Sequence, residues 1–173
     1  MSAHIKVRPA RIVIIRHAEK PGQAGANDVA DGKSLTTRGF ARAAALSYRM
    51  PELFGDPDFV FSAQESKHSN RPFETIAPLA TRLGLPINSE FAEQDFANLA
   101  ADVLTKQKYD HQNVLICWHH HNIPDLAAAF GVDNFPSLWK DNVFDRCWLI
   151  DFGVDTVSFK DIPQQLLYGD SET

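Results

Sequence analysis

The hydrophobic pattern along the chain changes repeatedly between two kinds of segment. Short runs rich in β-branched and aromatic residues predict strands at 11–16, 58–63, 113–118, 147–152 and 156–162, with 86–91 as a further candidate. Between them, apolar residues recur every three or four positions, which predicts helices over 35–50, 69–84, 96–107 and 123–130. This alternation predicts an α/β fold: a three-layer sandwich with a mostly parallel central sheet and helices on both faces.

Local signals set several of these boundaries. Thr36 is a suitable N-cap for the first helix, and Pro51 is expected to end it. Gly84 stands where a C-terminal cap of the second helix belongs. The polar segment 18–34 is too long for a simple connection, so we expect a functional lid there. No repeat or linker divides the chain, and residues 1–173 are expected to form one domain.

Composition narrows the class of protein. Lys and Arg number 17 against 22 Asp and Glu, the formal net charge is -5, and no basic run could follow a nucleic-acid backbone. The N-terminal segment has a four-residue apolar run, too short for a signal peptide, and no stretch approaches the length of a membrane span. Cys117 and Cys147 lie in apolar runs, as buried free thiols do, so a cytoplasmic protein is expected.

Chemically active side chains follow two of the predicted strands. Arg16 ends the first predicted strand and His17 follows it, and three histidines, 119–121, follow the strand 113–118. Arg71 lies at the start of the second helix. Each feature alone is compatible with a solvated strand or helix end. Together they occupy the edge at which a parallel sheet binds its ligands, because ligands lie beyond the carboxyl ends of the strands.

The ordered motifs RHAEK, LTTRGFARA, SNRPFETIAPLA and VLICWHHHNIPDL resemble the histidine phosphatase superfamily, also called phosphoglycerate-mutase-like, and most closely its small RHAEK-type branch. The resemblance covers about residues 11–152. It implies that His17 is a nucleophile that is phosphorylated and then hydrolysed. It also implies that Arg16, Arg71 and His119 bind the phosphoryl group.

The next two histidines depart from that pattern. His120 and His121 stand where such proteins usually have small or amide-bearing residues, so the sequence leaves open which histidine faces the phosphate. His120 and Lys20 are further candidates for substrate binding. The three histidines have no second cluster of ligands at supporting spacing, and a metal site is not expected.

The chemistry of these side chains agrees with the resemblance. A neutral imidazole can attack phosphorus, and a covalent phosphohistidine divides a difficult reaction into two easier steps. Arginine presents a rigid fork that matches phosphate oxygens. Phosphoryl transfer then requires mainly an in-line nucleophile and positive charge around the equatorial oxygens, and this scheme needs no cofactor.

Protonation of the leaving group requires a general acid. In the family, a glutamate with a glycine four residues later often supplies it. FAEQDFA places Glu93 at that position, with Ala97 instead of the glycine. Glu19, close to the nucleophile in sequence, is the rival candidate.

The sequence therefore favours a phosphatase that acts on a small phosphorylated metabolite or on a phosphoprotein. A phosphomutase of the same fold ranks lower, because the chain is short and shows no insertion that could close over a sugar acid. A non-catalytic phosphate-binding or interaction module is the third possibility. The sequence indicates neither the physiological substrate nor the oligomeric state.

Overall fold

A computed structural model of the protein describes residues 7–22 and 32–172. Strands and helices alternate as the hydrophobic pattern predicts, and short 3₁₀ turns cover Glu93–Asp95 and Gln107–Tyr109. In chain order the elements are β1 Arg11–Arg16, α1 Thr37–Phe54, β2 Phe59–Ser62, α2 Arg71–Leu83, β3 Ile87–Asn88, α3 Phe96–Thr105, β4 Asn113–Trp118, α4 Ile123–Ala129, β5 Arg146–Phe152 and β6 Val157–Pro163.

The strands of the described residues form one sheet in the order β3-β2-β4-β1-β5-β6. The first four in this order are mutually parallel, whereas β5 runs antiparallel to both β1 and β6. The prediction of a mostly parallel α/β sheet is confirmed. Because β1 and β4 are parallel neighbours at the centre, their carboxyl ends meet at the same edge.

Each central strand buries both of its faces. In β1, Ile12 and Ile14 join one hydrophobic cluster, while Val13 and Ile15 join the other. Helices α3 and α4 supply the first cluster with Leu99, Ala100, Val103, Ile123, Leu126 and Ala127. Helices α1 and α2 supply the second with Leu46, Met50, Phe54, Ile76 and Leu79. Helices therefore cover both faces of the sheet, which confirms the three-layer prediction and explains the continuous apolar runs.

Helix α1 begins as predicted but continues past its proline. The Thr36 hydroxyl caps the first turn by accepting a hydrogen bond from the Gly39 N–H at 3.1 Å. The expectation that Pro51 ends the helix is wrong, because the helix runs to Phe54. A proline has no N–H to donate to the carbonyl four residues earlier. Here Arg82 Nε of α2 donates to that Ser47 carbonyl at 2.9 Å and satisfies it.

Two further boundaries have clear local causes. Gly84 ends α2 in the left-handed conformation with φ 67°, as predicted from the sequence. The candidate strand 86–91 pairs with β2 over only Ile87–Asn88. The Asn88 side-chain oxygen accepts a hydrogen bond from the Glu90 N–H at 3.0 Å, which turns the chain away from the sheet.

The start of α1 packs closely on the segment that follows β1. A Cβ atom at Gly39 would lie 2.6 Å from the Glu19 carbonyl oxygen, so only glycine fits here without displacing the backbone. The Thr36 N–H donates to the same carbonyl at 3.0 Å. The residues just after His17 are therefore fixed by α1.

Two further expectations concern the lid segment and membrane spans. Residues 23–31 of the expected lid 18–34 lie outside the described residues. In the part of the chain that the structure describes, no helix is both long enough and apolar enough to cross a membrane.

Candidate active site

The carboxyl ends of β1 and β4 bring two histidines together. Arg16 is paired with Trp118 in the parallel register, and the His17 N–H donates to the Trp118 carbonyl at 3.1 Å. His17 and His119 consequently leave adjacent strands side by side. Their rings meet edge to face with centroids 5.2 Å apart.

The surroundings of His17 determine which ring nitrogen is available. The side chain is buried, and Nδ1 lies 2.7 Å from the Ala18 carbonyl oxygen. Because a carbonyl oxygen can only accept, Nδ1 carries the hydrogen of the neutral ring and Nε2 carries the lone pair. Burial, followed by the neighbouring His119, lowers the pKa of His17 well below its ordinary value. The ring is therefore a neutral base with a nucleophilic Nε2 at physiological pH.

His119 is the histidine of the triplet that contacts His17. Burial and the positive charges of Arg71 and Arg16 lower its pKa to about 4, so it too is neutral near pH 7. His120 turns aside, with Nε2 3.1 Å from Asp141 Oδ1, and its ring lies 3.7 Å from that of the exposed His121. Of the three histidines, His119 contacts the ring of His17, whereas His120 is directed to Asp141.

Arg16 is fully buried beside this pair. Its Nη1 donates to the Asp141 carbonyl at 2.6 Å and to the Val143 carbonyl at 2.9 Å, and its guanidinium carbon lies 3.9 Å from the centre of the Phe144 ring. Burial lowers its pKa to about 10, which leaves it charged near pH 7. Nε and Nη2 are buried and have no hydrogen-bond acceptor among the described residues. Two donors of a fixed cation are thus available to an anion.

The N-terminus of α2 approaches the same edge of the sheet. Arg71 is its first residue, and Nη1 donates to the Gly32 carbonyl at 2.8 Å. The Ala18 N–H donates to the Thr75 hydroxyl at 2.9 Å, which joins the segment after His17 to the first turns of α2. The charge of Arg71 lowers the pKa values of both site histidines: for His119 it is the largest cause after burial, and for His17 it adds to burial, His119 and Arg16. The second candidate arginine is therefore electrostatically coupled to them.

The two candidate acids have different surroundings. The Glu19 carboxylate is buried and accepts hydrogen bonds from Arg42 Nη2 at 2.8 Å and from Arg38 Nε at 3.2 Å. It is fixed in an ion-pair cluster. Glu93 is partly buried in the 3₁₀ turn before α3, and its carbonyl accepts a hydrogen bond from the Trp118 indole at 3.0 Å. That contact places the backbone of residue 93 beside the end of β4.

The sequence pattern did not indicate three further residues in this region. Asp141 and Phe144 lie in an irregular segment before β5, whose hydrophobic pattern has neither a helical nor a strand period. Ser62 ends β2, and its hydroxyl is buried without a hydrogen-bond partner among the described residues. The rule that drew attention to the ends of β1 and β4 applies equally to β2 and would have identified Ser62.

Lys20 also belongs to this region, with Nζ 3.6 Å from Asp141 Oδ1. Within residues 7–22 and 32–172, no group of three or more His, Cys, Asp or Glu side chains is arranged to hold a metal ion.

The buried neutral histidines predict how stability depends on pH. Because His119 has a pKa of about 4 in the folded protein and an ordinary value of 6.5, the unfolded chain binds more protons between these values. The free energy of unfolding should therefore fall as the pH is lowered from about 6.5 to 4, by about 1 kcal/mol per pH unit for each such histidine. Urea unfolding at several pH values measures this slope. We expect His119→Asn to reduce it, and His111→Asn, which changes an 85% exposed side chain at the opposite end of the sheet, to leave it unchanged. Equal slopes in all three proteins would contradict the assignment.

The sequence matches no protein-family model. It matches no curated protein. Solved structures are similar, however. α-Ribazole phosphatase from Shigella flexneri has a TM-score of 0.61 at 16% identity, over 88% of this chain and 96% of that chain. Mycobacterial glucosyl-3-phosphoglycerate phosphatase in complex with VO3 has a TM-score of 0.60 at 14% identity, over 88% and 97%. A candidate phosphohistidine phosphatase from Agrobacterium tumefaciens, SixA, has a TM-score of 0.53 at 19% identity, over 90% and 98%. The resemblance to histidine phosphatases is confirmed at the level of the fold.

Proposed function

We propose that this protein is a phosphatase of the histidine phosphatase superfamily that hydrolyses a phosphomonoester, or a phosphohistidine, through a covalent phosphohistidine on His17. The observation that carries the proposal is the edge contact between the rings of His17 and His119 at the ends of two adjacent parallel strands. Two of the similar solved structures are phosphatases, which supports the same reaction class.

The first step follows from the state of His17. With Nδ1–H held on the Ala18 carbonyl, the lone pair of Nε2 attacks phosphorus and the bond from phosphorus to the leaving-group oxygen breaks. Arg16 offers Nε and Nη2, and Arg71 and His119 complete the binding of the phosphoryl oxygens. Lys20 extends the positive edge of this site, and His120, whose pKa is lowered to about 4 by burial and by Arg16, is a neutral imidazole beside it near pH 7.

The leaving-group oxygen takes its proton from Glu93 in this proposal. Glu19 is less suited to the task, because its carboxylate accepts hydrogen bonds from two arginines, which favour its ionised form. In the second step a water molecule attacks phosphorus and gives its proton to the Glu93 carboxylate, the P–N bond breaks, and its electron pair returns to Nε2, which restores both groups. No step of this scheme uses a metal ion.

The covalent intermediate provides the direct test. Protein mixed with a ³²P-labelled phosphomonoester in the presence of EDTA and quenched in denaturant should carry label that is stable in base and labile in acid, as expected of a phosphorus–nitrogen bond. Proteolysis should place the label on the peptide that contains His17.

The variant His17→Asn should carry no label, and His111→Asn should carry as much as wild type. Label that is stable in acid, or label that persists in His17→Asn, would contradict the phosphohistidine mechanism.

A further inference from the structure

An irregular segment before β5, residues 140–144, forms one wall of the candidate active site. Arg16 Nη1 donates to the Asp141 and Val143 carbonyls, and the Phe144 ring lies against the same guanidinium. The His17 ring is 6.1 Å from Phe144, centroid to centroid. The backbone of this segment is thus held by the residue that precedes the nucleophile, and its side chains have fixed places around the site.

Asp141 is the acidic side chain that this wall presents. Its Oδ1 lies 3.1 Å from His120 Nε2, 3.6 Å from Lys20 Nζ and 3.6 Å from Arg16 Nη2. Arg16 ends β1, Lys20 follows β1 and His120 follows β4. The carboxylate therefore lies between the two strand ends that carry the site histidines. The side chain is nevertheless 68% exposed, which leaves it open to whatever approaches from solvent.

The carboxyl group of Asp141 is ionised under physiological conditions. Lys20 foremost, with His120 and Arg16, holds the pKa of this carboxyl below its ordinary value. A carboxylate at this place offsets part of the positive charge that Arg16 and Lys20 offer to a phosphoryl group. It also adds a fixed negative charge at the exposed rim, where the remainder of a substrate would extend.

We propose that Asp141 selects substrates by the charge of their leaving group: it favours phosphomonoesters whose leaving group is neutral or cationic and disfavours those with a second anionic group near the phosphate. The inference rests on the proposed phosphatase function and deepens it by naming the substrate class. Its basis is electrostatic, since a unit charge within several Å of a half-solvated carboxylate changes binding by severalfold.

The experiment compares three small substrates that differ in charge next to the phosphate: phosphoethanolamine, propyl phosphate and phosphoglycolate, which carry an ammonium, a methyl group and a carboxylate. The quantity measured is the ratio of kcat/KM values, in which the different reactivities of the leaving groups cancel between enzyme variants. In Asp141→Asn, the ratio of phosphoglycolate to propyl phosphate should rise by about fivefold and the ratio of phosphoethanolamine to propyl phosphate should fall by a similar factor.

Two further variants isolate the charge. Asp141→Glu keeps the carboxylate and should keep the wild-type ratios. Asp155→Asn removes an exposed carboxylate from the turn between β5 and β6, at the opposite end of the sheet, and should also leave the ratios unchanged. The main-chain contact of residue 141 with Arg16 is available to every variant at this position, so loss of folding is not expected; thermal unfolding checks this.

The outcomes separate the two proposals. Ratios in Asp141→Asn that equal those of wild type, or a shift in Asp141→Glu as large as that in Asp141→Asn, would overturn the role of Asp141 while leaving a working phosphatase. If wild type hydrolysed none of the three substrates, nor p-nitrophenyl phosphate, faster than His17→Asn does, the phosphatase function itself would be refuted, and the selection with it.

Discussion

Replacement of His17 by asparagine should lower kcat/KM for p-nitrophenyl phosphate by about a thousandfold or more. Asparagine can still donate from its amide to the Ala18 carbonyl, which accepts from Nδ1 in the wild type at 2.7 Å. It has nothing equivalent to Nε2, so the nucleophile is lost while the local hydrogen bond is retained. Steady-state release of p-nitrophenol, measured with EDTA present, checks the prediction.

The control for that measurement is His111→Asn, the same substitution at an exposed histidine that precedes β4 and lies at the other end of the sheet. It should retain wild-type activity. Equally slow release in the wild type and His17→Asn would contradict the proposed chemistry and would favour the non-catalytic alternative. Addition of His119→Asn to His17→Asn should lower kcat/KM little further, because the effects of substitutions at residues that act in one covalent step are not additive.

The sequence pattern was sufficient to predict the three layers of the fold, because the central strands are buried on both faces. A run such as Asn113–Trp118 has few arrangements other than a strand between two layers of helices. The pattern did not reveal that α1 continues through Pro51, since the donor that compensates the proline comes from Arg82 on another helix. Nor did it reveal that the strand at 86–91 shortens to Ile87–Asn88, because a side-chain hydrogen bond of Asn88 ends it. Both errors depend on hydrogen bonds that periodicity does not contain.

The candidate site could likewise be predicted in part from the sequence. Parallel strands bring their carboxyl ends to one edge, so a rule of topology sufficed to associate His17 with the three histidines 119–121, about a hundred residues away. The choice among His119, His120 and His121 needed coordinates, because ring direction after a strand end is set by packing. Asp141 was missed since it belongs to an irregular segment whose position depends on main-chain contacts with Arg16.

Glu19, close to the candidate site in sequence, belongs to a buried ion-pair cluster that links several parts of the fold. Its carboxylate and that of Asp170 are both bound by Arg42, whose side chain is 2% exposed. Arg42 Nη2 lies 2.8 Å from Glu19 Oε1 and 2.7 Å from Asp170 Oδ1, and Nη1 donates to Gln164 at 2.9 Å. One guanidinium therefore joins the segment after His17, α1 and the C-terminal segment. Although burial opposes its ionisation, hydrogen bonds from Arg42 hold the pKa of Asp170 at about 2.

Replacement of Arg42 by methionine should consequently destabilise the protein by about 3–5 kcal/mol, the usual cost of removing one partner from a buried ion pair. Methionine fills much of the volume but leaves the buried carboxylates of Glu19 and Asp170 with only the partly exposed Arg38 as a cation partner. The free energy of unfolding, measured by urea denaturation near pH 7, should show the loss. If the charge is the cause, Glu19→Gln and Asp170→Asn added to Arg42→Met should recover a large part of it, because the buried negative charges are then absent.

Arg49→Met on the same helix is the matched control. Arg49 is 30% exposed at its side chain and lies 3.5 Å from Glu52, an ion pair of the kind that contributes at most about 1 kcal/mol. A loss of similar size in both variants would show that the long side chain, and not the buried charge, stabilises α1. A large loss in Arg42→Met alone, recovered in the triple variant, would mean that the buried charges of this cluster, and not the volume of the side chain, stabilise the fold.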